Sequence, residues 1–324
     1  MHEIKWGIIG CGDVTEVKSG PAFNKVTNSS LVAVMRRDAA LAKSYAERHN
    51  VPKWYTDAIE LINDPEVNAI YIATPPLQHE EYTLQALAAG KPVYVEKPMT
   101  LNAAAAKRMA AAAVQHGVKL SVAHYRRAQP MFLHIKQLLD EKAIGDLRFV
   151  QLKMLQPPSS SIIAGSATNW RMDPALSGGG LFHDLAPHQL DLMLYYFGAV
   201  RHSSGIALQH AGSYKADDLV TGQILFENNV VFNGSWCFTV AAQDTTDLCE
   251  IFGAEGRISF PIFGNQLTVS IAGEMQVHNF EPLPHVQQPM IAKVVDYFLG
   301  RGENPCSAEE AIPCMALMDS FTGN

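Results

Sequence analysis

The first 123 residues alternate short apolar runs with segments of helical spacing. The apolar runs are rich in valine, isoleucine and tyrosine, carry almost no charge, and span residues 4–9, 31–35, 69–74, 92–96 and 119–123. Such runs are typical of strands in a parallel sheet that is buried on both faces. Because strands and helices alternate, this half predicts a doubly wound α/β sheet that binds ligands at the carboxyl ends of its strands.

Two features concern the helices of this half. One helix has Thr100 as its expected cap and an apolar face made of Leu101, Ala104, Ala105, Met109, Ala112 and Ala113. Nearer the N-terminus, Gly20-Pro21 should break or kink the first helix. Proline has this effect because it lacks the N–H that a helix interior needs.

After about residue 124 the pattern changes to that of an antiparallel sheet. Segments of alternating polarity predict strands over 147–156, 201–210, 219–227 and 230–238. Asn228-Asn229 and Ala272-Gly273 suit tight hairpin turns, and 254–256 suits a longer turn. Residues 157–169 have the composition of a long surface loop, and loops of that length are often functional.

Helices are also expected in this second half. One is predicted over 130–142, and a second over 185–197, ending at Gly198. A late amphipathic helix is marked by Ile291, Val294, Val295, Phe298 and Leu299. Helices combined with an antiparallel sheet indicate an α+β domain.

The length and composition fit a two-domain enzyme. At 324 residues the chain is about twice the length of a typical domain. Together with the change of pattern, this predicts two domains, one over 1–123 and one over 124–324. The chain is 48% hydrophobic and 18% charged, which is typical of globular proteins.

Charge and composition argue against several other classes. The net charge is −7, and basic residues occur only in pairs such as Arg36-Arg37, which argues against a nucleic-acid partner. No run of about 18 apolar residues predicts a membrane span, and the N-terminus lacks the features of a secretory signal. The five cysteines form no CxxC pair, which favours reduced thiols in a cytoplasmic protein.

A glycine-containing turn follows the first predicted strand, at Gly10-Cys11-Gly12-Asp13-Val14-Thr15. In a dinucleotide-binding fold, the first glycine makes the tight turn and the second lets the backbone approach the pyrophosphate. The helix that begins at Asp13 and Val14 then directs its N–H groups at that anion. Thr15 occupies the third glycine position, so an ordinary strand-to-helix turn is the alternative. The place of the motif at the start of a βαβ pattern favours dinucleotide binding.

The end of the second strand bears on the choice between NAD(H) and NADP(H). Enzymes that use NAD usually place an acidic residue there to accept from the ribose hydroxyls. This chain has Arg36 and Arg37, followed by Asp38. Guanidinium groups pair well with a 2′-phosphate, which favours NADP(H), with NAD(H) as the alternative. The arginines could also be solvated, with Asp38 capping the next helix.

The first candidate for chemistry is Lys97, which with Glu96 emerges at the carboxyl end of a predicted buried strand. An ammonium group beside a nicotinamide can polarise a substrate oxygen and stabilise a developing alkoxide. A lysine at a strand end is otherwise a solvated surface residue.

The second candidate is the run from Ser177 to His188, with Asp184, His188 and Asp191 on one side of a helix that begins near Asp184. An imidazole, whose ordinary pKa is about 6.5, suits proton transfer to a hydroxyl, and a carboxylate one turn earlier can orient it. Alternatively, Asp184 caps the helix. A metal site that includes His183 is a minor reading, because His183 points elsewhere on a helix and no cysteine cluster supports it.

Together these stretches resemble the Gfo/Idh/MocA family, which includes glucose–fructose oxidoreductase and inositol dehydrogenase. The matching motifs are Gly-Ile-Ile-Gly-Cys-Gly at 7–12, Ala-Thr-Pro-Pro at 73–76, Glu-Lys-Pro at 96–98, His-Tyr-Arg-Arg at 124–127, Trp170-Arg171, and Gly-Gly-Gly-x-x-x-Asp-x-x-x-His at 178–188. They follow the family's order along the chain. The Glu-Lys-Pro motif with the downstream Asp-x-x-x-His is fairly specific, whereas the glycine loop is not.

The resemblance implies a dinucleotide-binding Rossmann domain over 1–123 and a substrate-binding and oligomerisation domain over 124–324. The second domain would contain a large open antiparallel sheet, whose outer face often forms a dimer or tetramer interface. It implies hydride exchange between a nicotinamide cofactor and a carbonyl or hydroxyl of a sugar, polyol or related small molecule. It makes Lys97 the contact of the reacting oxygen, His188 the general acid/base and Asp184 its polar partner. It also implies that cofactor or substrate is contacted by Thr74, Pro75, Glu96, Tyr125, Arg126, Trp170 and Arg171.

Two other functions occur among proteins of this resemblance. One is a glycosidase that retains NAD and oxidises its substrate transiently, against which the arginine pair at 36–37 argues. The other is a non-catalytic dinucleotide sensor, which has no need for Lys97, Asp184 and His188 together. Pro76 departs from the family pattern, in which many members have asparagine. The sequence selects neither a particular substrate nor a reaction direction.

Overall fold

The computed structural model describes residues 2–158, 160, 162, 170–212 and 215–323. The chain divides into two compact units. The first comprises Met1–Arg126 and Leu283–Met315, and the second comprises Arg127–Pro282 and Ala316–Asn324. The loop predicted over 157–169 lies largely outside the described residues, which omit 159, 161 and 163–169.

The first unit contains a parallel sheet. Its described strands are β1 Ile4–Ile9, β2 Ser29–Met35, β3 Lys53–Tyr55, β4 Ala69–Ile72, β5 Val93–Val95 and β6 Leu120–Val122. They are ordered β3-β2-β1-β4-β5-β6, which is the strand order of the Rossmann fold, so the predicted doubly wound sheet is confirmed. The sequence pattern missed β3, because three residues that include a lysine do not form an apolar run.

The helices that connect these strands are α1 Asp13–Val17, α2 Gly20–Phe23, α3 Ala39–Arg48, α4 Ala58–Asn63, α5 His79–Ala88 and α6 Ala103–His116. The predicted break at Gly20-Pro21 is confirmed. Pro21 stands in the first turn of α2, where its missing N–H costs no helical bond. The prediction that Thr100 caps α6 is wrong, because the Asn102 side chain accepts from the Ala105 N–H at 2.9 Å.

The second unit contains a sheet of eight described strands. They are β7 Leu147–Leu155, β8 Val200–Leu208, β9 Leu219–Phe226, β10 Val231–Cys237, β11 Thr246–Gly253, β12 Gly256–Phe260, β13 Gln266–Ile271 and β14 Glu274–Asn279. Their order is β14-β13-β12-β11-β7-β10-β9-β8. β7 and β10 run parallel, and the other described neighbours run antiparallel. The predicted antiparallel sheet is therefore confirmed, with one parallel pair inside it.

Helices of the second unit are α7 Pro130–Asp140, α8 Pro174–Ser177 and α9 Gly180–Phe197. Nearly every residue of α9 is buried. The prediction that this helix begins near Asp184 is wrong. The chain turns sharply through three glycines with positive φ, and α9 starts at the last of them, Gly180. Asp184 therefore lies inside the helix and is not its cap.

The chain ends with α10 Gln288–Phe298 and α11 Ala308–Thr322. The late amphipathic helix is confirmed as α10, which buries Ile291, Val294, Val295 and Phe298. Residues 283–315 pack with the first unit, although we predicted one domain over 124–324. The reason is a set of bonds back to the parallel sheet, such as that from the Val122 N–H to the Cys306 carbonyl at 2.9 Å. Within the described residues, no helix is both long and apolar enough to cross a membrane.

Candidate active site

Three adjacent strands of the first unit bring the predicted cofactor and reaction segments to one edge of the sheet. Ile9 at the end of β1 is in register with Ile72 on β4, which is in register with Val95 on β5. Because these strands are parallel, the residues that follow them emerge at the same edge. Those residues are the glycine turn from Gly10, the segment Thr74-Pro75, and Glu96-Lys97.

The glycine turn leaves room for a ligand above its backbone. Gly10 has φ +93°, and a Cβ there would lie 2.7 Å from the Thr74 backbone nitrogen, so glycine is required at this position. At Gly12 the nearest atom to an added Cβ is the Gly10 carbonyl oxygen at 4.0 Å. Thr15 replaces the third glycine and donates its hydroxyl to the Gly12 carbonyl at 2.8 Å. Since α1 spans only five residues, a bound pyrophosphate would be held by the N–H groups of Asp13 and Val14 more than by a helix dipole.

Thr74 supplies a polar group that fits a bound dinucleotide. Its hydroxyl oxygen is buried and makes no hydrogen bond to a described residue, and its backbone lies against Gly10. A buried hydroxyl without a partner is costly. This hydroxyl and the open space over Gly12 together suit the oxygen-rich pyrophosphate and ribose of a dinucleotide.

His79 is a residue of this edge that the sequence pattern did not indicate. Its ring is buried, with Nδ1 2.9 Å from the Pro98 carbonyl oxygen and Nε2 2.8 Å from the Thr74 carbonyl oxygen. Burial lowers the pKa of His79. The ring therefore joins the segments that follow β4 and β5. Histidine at the start of a helix gives no sequence signal for such a role.

The arginine pair lies beside the glycine turn. The Arg36 guanidinium donates from Nη1 to the Cys11 carbonyl at 3.3 Å, and Arg37 is exposed. Asp38 caps α3, accepting from the Leu41 N–H at 3.0 Å. The capping interpretation of Asp38 is thus confirmed. Arg36, the first residue after β2, is the charged residue that bonds to the glycine turn.

Glu96 and Lys97 differ in burial. The Glu96 side chain is buried, with the residue only 5% exposed, and Lys97 is half-buried. One Glu96 oxygen, Oε1, accepts from the Tyr71 hydroxyl and from the Gln287 amide, each at 2.5 Å. The other, Oε2, accepts from the Lys97 backbone N–H at 3.1 Å. The structure therefore engages Glu96 with the protein interior, whereas the resemblance implied a contact with the nicotinamide ribose.

Tyr125 and Arg126 come at the end of the first unit, in a 3-10 turn over Tyr125–Ala128. Both residues are buried, and the Arg126 guanidinium lies 5.7 Å from the centre of the Tyr125 ring. They follow β6 in the same way that Lys97 follows β5, so they lie toward the same edge of the parallel sheet.

In the second unit, Trp170, Arg171 and Asp184 form a chain of contacts. Arg171 donates from Nε to Asp184 Oδ2 at 2.8 Å, and its guanidinium lies 4.5 Å from the centre of the Trp170 ring. Both members of the ion pair are largely buried. Arg171, which the resemblance places at the cofactor, is thus bonded to the carboxylate that precedes His188 by one helical turn.

His188 lies on α9, buried, with its ring edge-on to Phe263 at a centroid distance of 5.5 Å. Asp191, one turn further, is held by a buried two-bond ion pair with Arg127, at 2.9 and 2.8 Å. Asp191 is thus paired with Arg127, a residue of the motif at 124–127, and the sequence did not indicate this pairing. This ion pair anchors α9 one turn after His188.

His183 is also on α9, where burial disfavours the protonated form of its ring. Burial lowers its pKa to about 4, an effect that the neighbouring Gly179 backbone partly offsets. The ring occupies the space that a side chain at Gly179 would need, 2.1 Å from an added Cβ. Among the described residues, no group of three or more histidine, cysteine or acidic side chains is arranged to hold a metal ion.

Comparison with known proteins places this geometry in a family. Residues 4–124 match the family described as an oxidoreductase family with an NAD-binding Rossmann fold, and residues 132–259 match the Gfo/Idh/MocA C-terminal domain. The chain is 47% identical over 321 residues to Oxidoreductase P35 of Formosa agariphila, covering 99% of this chain and 98% of that protein. The chain belongs to the Gfo/Idh/MocA oxidoreductase family.

Other Gfo/Idh/MocA-like relatives carry more specific names. The chain is 26% identical over 326 residues to a 1,5-anhydro-D-fructose reductase of Ensifer adhaerens, covering 96% of this chain and 93% of the relative. A crystallised levoglucosan dehydrogenase, in complex with NADH and levoglucosan, aligns with a TM-score of 0.87 at 21% identity, covering 98% of this chain and 96% of that one. The latter likeness supports the fold.

Membership of the Gfo/Idh/MocA family makes this chain an oxidoreductase with a nicotinamide-dinucleotide-binding domain. Within the first unit, the structure brings Gly10, Gly12, Thr74 and Lys97 to one sheet edge. Within the second unit, it places Asp184 and His188 on the same helix, one turn apart.

Proposed function

We propose that this protein transfers hydride between NADP(H) and a carbonyl or hydroxyl group of a sugar, polyol or related small molecule. The observation that carries the proposal is the shared sheet edge in the first unit. There the open glycine turn, Lys97 and the Thr74 hydroxyl, which has no partner among the described residues, follow neighbouring parallel strands. Ligands of doubly wound folds bind at this edge. The names of the relatives, an anhydrofructose reductase and a levoglucosan dehydrogenase, support the substrate class.

In the proposed reaction each of these residues has a separate role. A bound nicotinamide supplies hydride to the carbonyl carbon or accepts it from the alcohol carbon. In the reductive direction the Lys97 ammonium donates a hydrogen bond to the substrate oxygen and stabilises its growing negative charge. His188 gives a proton to that oxygen, and takes one from the hydroxyl in the oxidative direction. Asp184, held by Arg171 at 2.8 Å, lies one turn before His188 on the same helix and would orient it.

The proposal is tested by following absorbance at 340 nm with purified protein, NADPH and a panel of carbonyl sugars that includes 1,5-anhydro-D-fructose. Oxidation is followed in parallel with NADP⁺ and levoglucosan. Consumption or formation of NADPH in step with the substrate supports the proposal. Cleavage of a nitrophenyl glycoside by protein that retains its cofactor through purification would contradict free exchange of NADP(H).

The preference for NADP(H) gives a specific prediction at Arg36. Its guanidinium lies at the glycine turn, bonded to the Cys11 carbonyl. There it would pair with the 2′-phosphate of NADP(H). A hydrogen bond between charged groups contributes about 1.5–3 kcal/mol, so Arg36→Ala should raise KM for NADPH about 10- to 100-fold. KM for NADH should change little.

Arg108→Ala is the matched control, because Arg108 is an exposed arginine paired with Glu80. It should leave both KM values unchanged. A wild-type preference for NADH, or an equal effect of Arg36→Ala on the two cofactors, would contradict the assignment of Arg36 to the phosphate. The same measurement on Arg37→Ala shows how much the exposed neighbour contributes.

Self-association through the open face of the second sheet is the remaining part of the proposal. This face exposes Phe149, Ile206, Leu208, Val231, Met275 and Val277. Phe149 and Val231 are in register on neighbouring strands, and contiguous exposed apolar side chains are typical of interaction surfaces. A dimer or tetramer is expected by light scattering, and Phe149→Glu should shift it toward the monomer. A monomeric wild-type protein would contradict this part.

A further inference from the structure

A buried polar cluster in the first unit includes Glu96, the residue that precedes Lys97 and accepts from its backbone N–H. It consists of the Glu96 carboxylate, the hydroxyls of Tyr71 and Tyr94, and the amide of Gln287. Tyr71, Tyr94 and Gln287 have no exposed surface, and Glu96 has 5%. Gln287 directly precedes α10, so the far end of the chain supplies one member of the cluster.

The two oxygens of the Glu96 carboxylate accept hydrogen bonds from different partners. Oε1 accepts from the Gln287 amide and the Tyr71 hydroxyl, each at 2.5 Å. Oε2 accepts from the backbone N–H of Lys97 at 3.1 Å. Turning the carboxylate to improve one set of bonds weakens the other. The orientation of the carboxylate is therefore set by its buried donors, and the Lys97 backbone follows it.

Gln287 is in turn held from two further directions. Its Oε1 accepts from the Tyr94 hydroxyl at 3.3 Å, and its backbone N–H donates to the Lys18 carbonyl at 3.2 Å. Lys18 is the residue at which α1, the helix of the glycine turn, ends. Gln287 thus links the cofactor-binding helix to the residue that precedes Lys97.

Because the Glu96 carboxylate is buried, its hydrogen bonds need good geometry. Within the described residues, Glu96 forms no ion pair, and its hydrogen-bond donors are an amide, a hydroxyl and a backbone N–H. A buried carboxylate needs such donors in good geometry, since an unsatisfied one is very costly. Burial and the adjacent Glu96 charge raise the pKa of Tyr71 well above its usual value, so its hydroxyl keeps its proton and donates.

We propose that Gln287 is a positioning residue for Lys97, acting through the Glu96 carboxylate at the active-site end of β5. This inference rests on the proposed function, which gives Lys97 its role at the reacting oxygen. Gln287 lies beneath the edge and does not itself touch the reacting atoms. Its loss should therefore affect kcat more than KM for NADPH.

A swap of the two polar groups tests the proposal. Glu96→Gln puts an amide N–H₂ against existing donors, and Gln287→Glu puts two carboxylates face to face. Each single variant should lower kcat about tenfold, because small displacements of a catalytic group are costly. In the double variant the amide at 96 can still accept from the Lys97 N–H and donate to the carboxylate at 287. Its kcat should recover to within about threefold of wild type, as strongly coupled pairs do.

A second readout does not depend on any substrate. Hydrogen exchange of the Lys97 amide, followed by mass spectrometry or NMR, should be about tenfold faster in each single variant and near wild type in the double variant. Asn304→Leu is the control, because Asn304 belongs to the same returning segment but bonds to the carbonyl of Leu120, at the amino end of β6. It should change neither the exchange of Lys97 nor kcat.

Additive losses in the double variant, or wild-type exchange and kcat in the single variants, would overturn the proposal. If the single variants do not fold, Tyr94→Phe decides, because it removes only the donor to Gln287 and should speed the exchange of Lys97 in a folded protein. If wild-type protein neither binds NADPH nor turns over any sugar while the exchange results hold, the function proposed above fails and the link from Gln287 to Lys97 stands.

Discussion

Replacement of Lys97 by methionine is expected to lower kcat about 100- to 1,000-fold while the protein folds normally. The reason is that the ammonium stabilises charge only as it develops on the substrate oxygen, and removing one such donor costs about that much in other enzymes. Lys97 is half-buried at the end of β5, and methionine can fill its space without charge. The measurement is steady-state kinetics with NADPH and the best substrate of the panel, together with the thermal midpoint.

Lys91→Met is the matched control for this prediction. Lys91 lies just before the amino end of the same strand and donates to the Asp64 carbonyl at 2.8 Å, away from the proposed chemistry. It should reduce stability more than kcat. A Lys97→Met variant with nearly normal kcat would remove Lys97 from the reaction.

Replacement of His188 by asparagine is expected to lower kcat about 100- to 10,000-fold, the usual range for loss of a general acid or base. Asparagine can keep a hydrogen bond but cannot transfer a proton. The variant should also lose the dependence of the rate on pH over the range in which an imidazole titrates. Rates measured across pH 5–9 for wild type and variant, with binding of NADPH measured separately, test this role.

His278→Asn serves as the control for histidine loss in the second unit. His278 lies on the edge strand β14, with its ring 5.1 Å from that of His134. Its replacement should leave both kcat and the pH profile unchanged. An unaltered pH profile in His188→Asn would assign proton transfer to another group.

Much of the fold could be predicted because burial leaves a direct trace in the sequence. Strands covered on both faces, such as β4, are continuous apolar runs, and α10 shows its apolar stripe. The start of α9 was hidden, since the glycines at 178–180 look like a loop yet lead directly into the helix. The return of residues 283–315 to the first unit was also hidden, because it depends on contacts between distant residues.

The candidate site also contains residues that the sequence reveals and residues that it does not. Lys97 and His188 carry recognisable motifs, because the chemistry demands those residue types at fixed positions relative to glycines and proline. Gln287 and His79 carry none, and Arg127 lies in the motif at 124–127 without a role assigned to it from the sequence. Their roles come from the backbone carbonyls, carboxylates and hydroxyls that the fold brings to them, and a single glutamine before a helix does not reveal such partners.

The central claim is that Lys97 and His188 act on one substrate beside one nicotinamide ring. A crystal structure of the protein with bound NADP⁺ tests it most directly. We predict that Lys97 Nζ and a His188 ring nitrogen both lie within about 3–4 Å of a single point beside the nicotinamide C4, where a substrate oxygen can sit. A nicotinamide bound elsewhere, or the two side chains too far apart to reach one oxygen, would contradict the account.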